Sequence, residues 1–156
     1  MQTNYNKILK QLDQIKPLEY ARNRNFIDGS VTRLSPYISR GVISTKQVLN
    51  HVLKKGFSPK KIEKFIQELA WRDYWQLIGL EKDINFNIKN PQSDVYKEGI
   101  SQCIVDAKTN IEAIDKSIED LYSTGYMHNH LRMYVASIST NIAKSQWKQP
   151  AKWMYY

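Results

Sequence analysis

The sequence predicts an all-α protein, and three observations carry that expectation. Apolar residues recur at helical spacing in several stretches, alternating runs rich in Val and Thr are scarce, and 156 residues contain only 6 Gly and 5 Pro. Sandwiches and barrels need period-two patterning and frequent turn residues, so the balance falls to helices. With 42% hydrophobic residues the chain can build a real core, and its length suits a single domain.

The elements follow in order. Tyr5, Ile8, Leu9, Leu12 and Ile15 repeat at helical spacing, and Pro17 is expected to end that helix. A loop-like stretch from Asn23 to Ser35 is rich in Asn, Arg, Ser and Thr and contains Asp28-Gly29. Ser44 reads as the N-cap of a helix carrying Val48, Leu49, Val52 and Leu53, with Gly56 as its stop. Ser58 and Pro59 signal the start of a long helix running to about Leu80. Residues 81 to 99, with Asn85, Asn87, Asn90, Pro91 and Gly99, read as a long surface connection. Ile111 to Tyr122 is helical and stops near Gly125. A last long helix is expected over roughly Met127 to Ser145.

Two of these helices carry two busy faces. In the helix from Pro59, Ile62, Phe65, Ile66, Leu69 and Leu77 gather into a core stripe at about 100° per residue. Glu68, Trp71, Arg72 and Trp75 fall on roughly the opposite side, at i, i+3, i+4 and i+7. Two indoles beside a carboxylate and a guanidinium are not an ordinary solvated face. The face either packs on a second helical layer or lines a cavity. In the last helix Leu131, Val135, Ile138 and Ile142 form the core stripe, and Asn129, Arg132, Met133 and Ala136 form the far face. Such faces can wall a polar ligand site or make an interhelical polar network.

Charge and composition narrow the function. Lys+Arg outnumber Asp+Glu by 23 to 15, giving +8, which favours a polyanionic partner or serves solubility alone. The single Cys103 cannot form an internal disulfide, the first residues lack a signal-peptide pattern, and no apolar run suits a membrane span. A soluble cytoplasmic monomer is expected. His128 and His130 diverge on a helix at i, i+2 and make a poor metal pair, so no metal is expected. Catalytic triads, GxGxxG and P-loop strings are all missing. The segment VTRLSPYISRGVIS, residues 31 to 44, sets Thr32, Arg33 and Ser35 beside Pro36 at a helix start. Hydroxyls, backbone N–H groups and a guanidinium suit a diphosphate, and a capped helix entry has the same look.

Taken together and in order, these strings resemble the DNA photolyase/cryptochrome family. Tyr20 and Arg24 precede TRLSPYISRG, ELAWRDYW (68 to 75) and GYMHNHLRM (125 to 133) follow, and Trp147 lies in SQWKQPAKW. The resemblance covers the chain from about Tyr20 and implies the helical FAD-binding domain. By that resemblance, Tyr20, Thr32, Arg33, Leu34 and Ser35 cradle the FAD diphosphate, and Arg72 and Arg132 belong to the flavin pocket. Glu68, Trp71, Asn129 and Met133 face the cavity that takes a flipped pyrimidine dimer of UV-damaged DNA. Asn129 also stands near the adenine. Trp147 matches the middle tryptophan of an electron relay to the flavin. The implied activity is light-driven, FAD-dependent repair of cyclobutane pyrimidine dimers, a photo-lyase reaction in which the cofactor carries the chemistry.

Three departures from the family pattern accompany the resemblance. No N-terminal α/β antenna domain is expected from these residues, and Asn110 stands where the family usually has a glycine. The family pattern also continues past AKWMYY with flavin-ring residues, so residues 1–156 read as a partial FAD-binding domain, truncated at its C-terminus. Two alternatives are a cryptochrome-type photoreceptor without repair activity and a flavin-free basic helical module that binds nucleic acid nonspecifically.

Overall fold

The computed structural model describes residues 2–83 and 94–155. Its named elements are all helical, with no named strand among the described residues. The chain divides into two compact units, residues 1–83 and 84–156, each with its own core.

Unit 1 is built from α1 (Tyr5–Asp13), α2 (Pro17–Asn23), α3 (Ser35–Ser39), α4 (Thr45–Lys54) and α5 (Glu63–Glu81). The apolar spacing in α1 buries Ile8 and Leu12, as the periodicity requires. Pro17 does more than end a helix. Helix α1 has already stopped at Asp13, and Pro17 opens α2 as its first residue, where a missing N–H costs nothing. Helix α4 begins as the sequence predicts. The Gln47 N–H donates to Ser44 Oγ at 3.1 Å and the Ser44 N–H donates to Gln47 Oε1 at 2.7 Å, a complete capping box. Ser44→Ala removes one half of it and is expected to cost about 1 kcal/mol in chemical denaturation of the chain.

The long helix starts later than Pro59. Residues Pro59–Ile62 form a 3₁₀ turn, and α5 proper runs from Glu63. Its apolar stripe seals the unit. Ile62 and Phe65 are buried with Leu34, Tyr37, Val48 and Val52, and Ile66 and Leu69 pack against them. Leu77 does not belong to this stripe, being 60% exposed, because the core ends near Leu69 and α5 continues beyond it.

Unit 2 contains α6 (Gln102–Val105), α7 (Glu112–Thr124), α8 (Asn129–Ser137) and α9 (Lys148–Met154). Its core joins Ile104, Ile114, Ile118, Leu121, Met127, Leu131 and Val135. Gly125 ends α7 with φ +73°, the left-handed conformation glycine adopts without penalty. Asn110 takes φ +63° before α7, and asparagine is among the residues that tolerate this region best.

The last helix is shorter than its sequence pattern. After Ser137 the backbone widens into a π turn, Ile138–Ile142, in which the Ala143 N–H reaches the Ile138 carbonyl five residues back. Ser139 and Thr140 each donate a hydroxyl to the carbonyl four residues earlier, at 2.8 and 2.9 Å, competing with the helical N–H groups. The register therefore slips. Ser139 is buried and Ile142, expected in the core stripe, is 73% exposed. Beyond it, α9 accommodates Pro150 in its first turn.

Of the surface connection expected over 81 to 99, residues 84–93 lie outside the described residues. Its final part is tied down. Lys97 bridges Ser145 in parallel, the Tyr96 N–H donates to the Lys144 carbonyl, and the Gln146 N–H donates to the Lys97 carbonyl.

Asp115 anchors the entry to α7. Its Oδ1 accepts from the Thr109 hydroxyl at 2.6 Å and the Thr109 N–H at 2.8 Å, which hold its pKa below the ordinary value. A depressed folded value gives stability that is complete above the unfolded carboxylate value, near 4, and lost as pH falls through the folded one. Acid unfolding of Asp115→Asn, followed by circular dichroism, is expected to show a shallower pH dependence across that window.

Candidate cofactor and nucleic-acid site

The loop between α2 and α3 is held by side chains rather than by repeating backbone bonds. Asn23 Oδ1 accepts from the Ser30 N–H at 2.9 Å, and the Ser30 hydroxyl donates to Glu19 Oε2 at 3.0 Å. This hydrogen bond, and more weakly Lys16, hold the Glu19 pKa below its ordinary value. Gly29 sits where the loop folds over the end of α2. A Cβ there would lie 2.0 Å from the Asn23 carbonyl oxygen.

The loop then delivers Thr32 and Arg33. Thr32 Oγ1 accepts from the Leu34 N–H at 3.3 Å. Arg33 has φ +54°, a left-handed conformation that a non-glycine residue adopts at a cost of about 1–3 kcal/mol. Such outliers persist where the surroundings fix them, and here Leu34 beside it is fully buried. Thr32 and Arg33, with Ser30, Val31, Gln11, Gln14, Ile15 and Lys16, line a cleft of about 430 Å³. That volume falls in the range of roughly 300–1,000 Å³ common to small-molecule sites.

The other phosphate-cradle candidates stand beside the cleft, not in its lining. The Leu34 side chain belongs to the core, so only its backbone can face a ligand. Ser35 opens the single turn of α3, whose five residues carry little dipole. Tyr20 packs edge-on against Phe65, ring centroids 5.3 Å apart. Sequence reasoning missed Gln11, Gln14, Lys16 and Ser30. Only Gln11 lies on α1 itself, and no sequence pattern singles out any of the four, because their meeting depends on how the chain turns between α1 and α2.

On α5 the Glu68 carboxylate lies 3.2 Å from Lys64 Nζ and 3.6 Å from Arg24 Nε. Arg72 Nη1 donates to the Ser39 hydroxyl at 3.1 Å, tying α5 to α3. Trp71 and Trp75 are stacked, centroids 6.3 Å apart and 22° between planes, and Tyr74 meets both edge-on. The indoles are 51% and 59% exposed.

In unit 2, Asn129 is the exposed first residue of α8, and Met133 is 63% exposed one turn along the same helix. Arg132 turns inward. Its Nε donates to the Met127 carbonyl at 3.2 Å and its Nη1 to the Met154 carbonyl, joining α8 to α9. Trp147 lies half-buried at the start of α9. Among the described residues, no group of three or more His, Cys, Asp or Glu is arranged to hold a metal ion, and no helix is long and apolar enough to cross a membrane.

Comparison with known proteins completes the picture. Residues 65–156 match the family described as the FAD binding domain of DNA photolyase. The deoxyribodipyrimidine photo-lyase of Alkalihalophilus pseudofirmus is 31% identical over 144 residues, covering 83% of this chain and 28% of that protein. Cryptochrome-1 of Sinapis alba is 25% identical over 175 residues, covering 98% of this chain and 34% of that protein. Cryptochrome DASH of Danio rerio is 26% identical over 155 residues, covering 88% and 28%. The chain thus spans about a third or less of the length of these relatives. With more than half of its residues matched, and an all-helical fold to suit, the chain belongs to the DNA photolyase FAD-binding domain family, whose cofactor is FAD.

Proposed function

We propose that the loop from Ser30 to Ser35 holds the diphosphate of FAD, and that the chain serves light-driven repair of cyclobutane pyrimidine dimers in DNA. The observation that carries the cofactor part is the cleft beside Arg33, a strained arginine next to a hydroxyl in a cavity of ligand size. The donor set fits the group. Thr32 and Ser35 offer hydroxyls, and Arg33 offers a planar fork of N–H donors that matches phosphate oxygens. Tyr20, Arg72, Arg132 and the Asn129 amide are the further groups assigned to cofactor contacts. FAD, bound and reduced, would under light lend the dimer an electron that returns once the ring has split, and the protein contributes binding, orientation and electrostatics.

The DNA part rests on α5 and on charge. Trp71 presents an exposed indole plane, and stacking on such a plane is worth about 1–3 kcal/mol per base. Glu68 and Asn129 are assigned to base edges, Met133 to apolar contact, and Trp147 to passing electrons toward the flavin. The basic surplus lies mainly in residues 1–83, where 15 Lys and Arg face 8 Asp and Glu, and this favours phosphate contacts. A second reading, a cryptochrome-type photoreceptor, is favoured by the cryptochromes among the relatives. Illuminating the protein with dimer-containing oligonucleotide and scoring dimer loss separates the two.

Arg33→Gly tests the cofactor assignment with stability as its control. Glycine adopts φ +54° freely, which offsets the extra chain entropy it brings, so unfolding free energy should stay within about 1 kcal/mol of the parent. FAD affinity should fall about tenfold or more, since a charge-assisted hydrogen bond is lost. Unchanged affinity would reject the phosphate-loop assignment.

A further inference from the structure

We infer that the turn joining α1 to α2 is the second wall of the phosphate cleft, with Lys16 binding the same diphosphate as Arg33. The inference rests on the cofactor reading above and extends it to a segment outside the family strings. The cleft is lined by two separate segments, Gln11 to Lys16 and Ser30 to Arg33, and each contributes one cation. A diphosphate carries its charge on two linked phosphoryl groups, and one guanidinium fork engages one of them well. An ammonium on the other wall supplies the second partner as a mobile point charge.

The turn is built to hold Lys16 in place. Ile15 before it is buried in the core, and Pro17 after it is fully buried. A residue preceding proline is confined to a narrow range of backbone angles, and the Lys16 carbonyl accepts the Tyr20 N–H at 2.9 Å. Only the side chain remains adjustable. Its Nζ lies 3.5 Å from Glu19 Oε2, in a pair whose side chains are 65% and 42% exposed. Exposed pairs of this kind contribute little, so a diphosphate competes for the ammonium at small cost. Glu19 stays occupied, because it accepts the Ser30 hydroxyl that shapes the opposite wall. Gln11 and Gln14 add neutral amide donors along the same wall.

Phosphate could also come from the DNA backbone. A concave cleft with donors on both sides suits a compact diphosphate better than an extended duplex, and the test keeps the two apart. FAD affinity of the full chain is measured by flavin fluorescence for the parent, Lys16→Met, Lys16→Arg and Arg33→Gly, with inorganic pyrophosphate and an undamaged duplex as competitors. The melting temperature of each variant without ligand serves as the folding control. Lys16→Met should weaken FAD about tenfold and, with FAD set at the same multiple of each variant's Kd, require about tenfold more pyrophosphate for displacement, with an unchanged melting temperature. Lys16→Arg should recover most of the affinity. If Lys16→Met binds FAD like the parent while Arg33→Gly does not, the second wall is refuted and the loop assignment stands. If neither variant alters affinity, both fail. Displacement of FAD by the undamaged duplex, with no effect of pyrophosphate, would assign the cations to DNA and overturn the inference.

Discussion

Phe65→Ala is expected to cost unit 1 about 3–5 kcal/mol, enough to consume much of the stability of a domain this size. Phe65 is 2% exposed and lies where α5 meets the rest of the core. Removing its ring leaves a cavity that fixed helices on several sides cannot close. The loss also reaches the cofactor site. Tyr20 is held edge-on against Phe65, and Leu34, the residue after Arg33, is buried in the same cluster. Denaturant unfolding should show a lower midpoint, and FAD retention should fall with it although Phe65 touches no ligand. An unfolding free energy within about 1 kcal/mol of the parent would mean that α5 is not the keystone of this unit.

Gly29→Ala is expected to act by collision rather than by loss. The new Cβ would sit 2.0 Å from the Asn23 carbonyl oxygen and 2.9 Å from the Phe26 carbonyl oxygen, and both are backbone atoms. Neither can rotate away as a side chain would. Relief requires the loop to lift from α2, which breaks the Asn23–Ser30 and Ser30–Glu19 hydrogen bonds. Overpacking of this kind costs about 1–3 kcal/mol. The effect on binding should exceed the effect on global stability, because Ser30 to Arg33 form one side of the cleft. Hydrogen exchange would localise the change. Protection should fall at Ser30 and Val31 while the amides of α4 keep theirs. Equal loss in both places would contradict the account.

Much of this architecture was legible in the residues. The Ser44 N-cap, the Gly56 and Gly125 stops and the burial of Ile8, Leu12, Val48, Val52, Leu131 and Val135 follow from local chemistry, and each stands where its pattern puts it. The failures share a cause. A fixed advance of 100° per residue carries Leu77 and Ile142 into core stripes, yet α5 outruns its core and the π turn after Ser137 changes the register. Short helices such as α2, α6 and α9 offer too few turns for periodicity to register.

The site divides in the same way. Thr32 and Arg33 could be picked out because their residue types suit phosphate, and the structure sets both in one cleft. Lys16, Gln11 and Gln14 could not, because their nearness to the loop depends on how α1 turns into α2. Glu68 and Arg72 were found as a polar pair on one face, but their partners, Lys64, Arg24 and Ser39, come from tertiary contact and from the preceding helical turn.

Titration of the purified chain with FAD, followed by flavin fluorescence and absorbance, tests the central claim most directly. The account predicts saturable one-to-one binding with a structured flavin spectrum, weakened about tenfold or more in Arg33→Gly. Absence of saturable binding by the folded chain would contradict it.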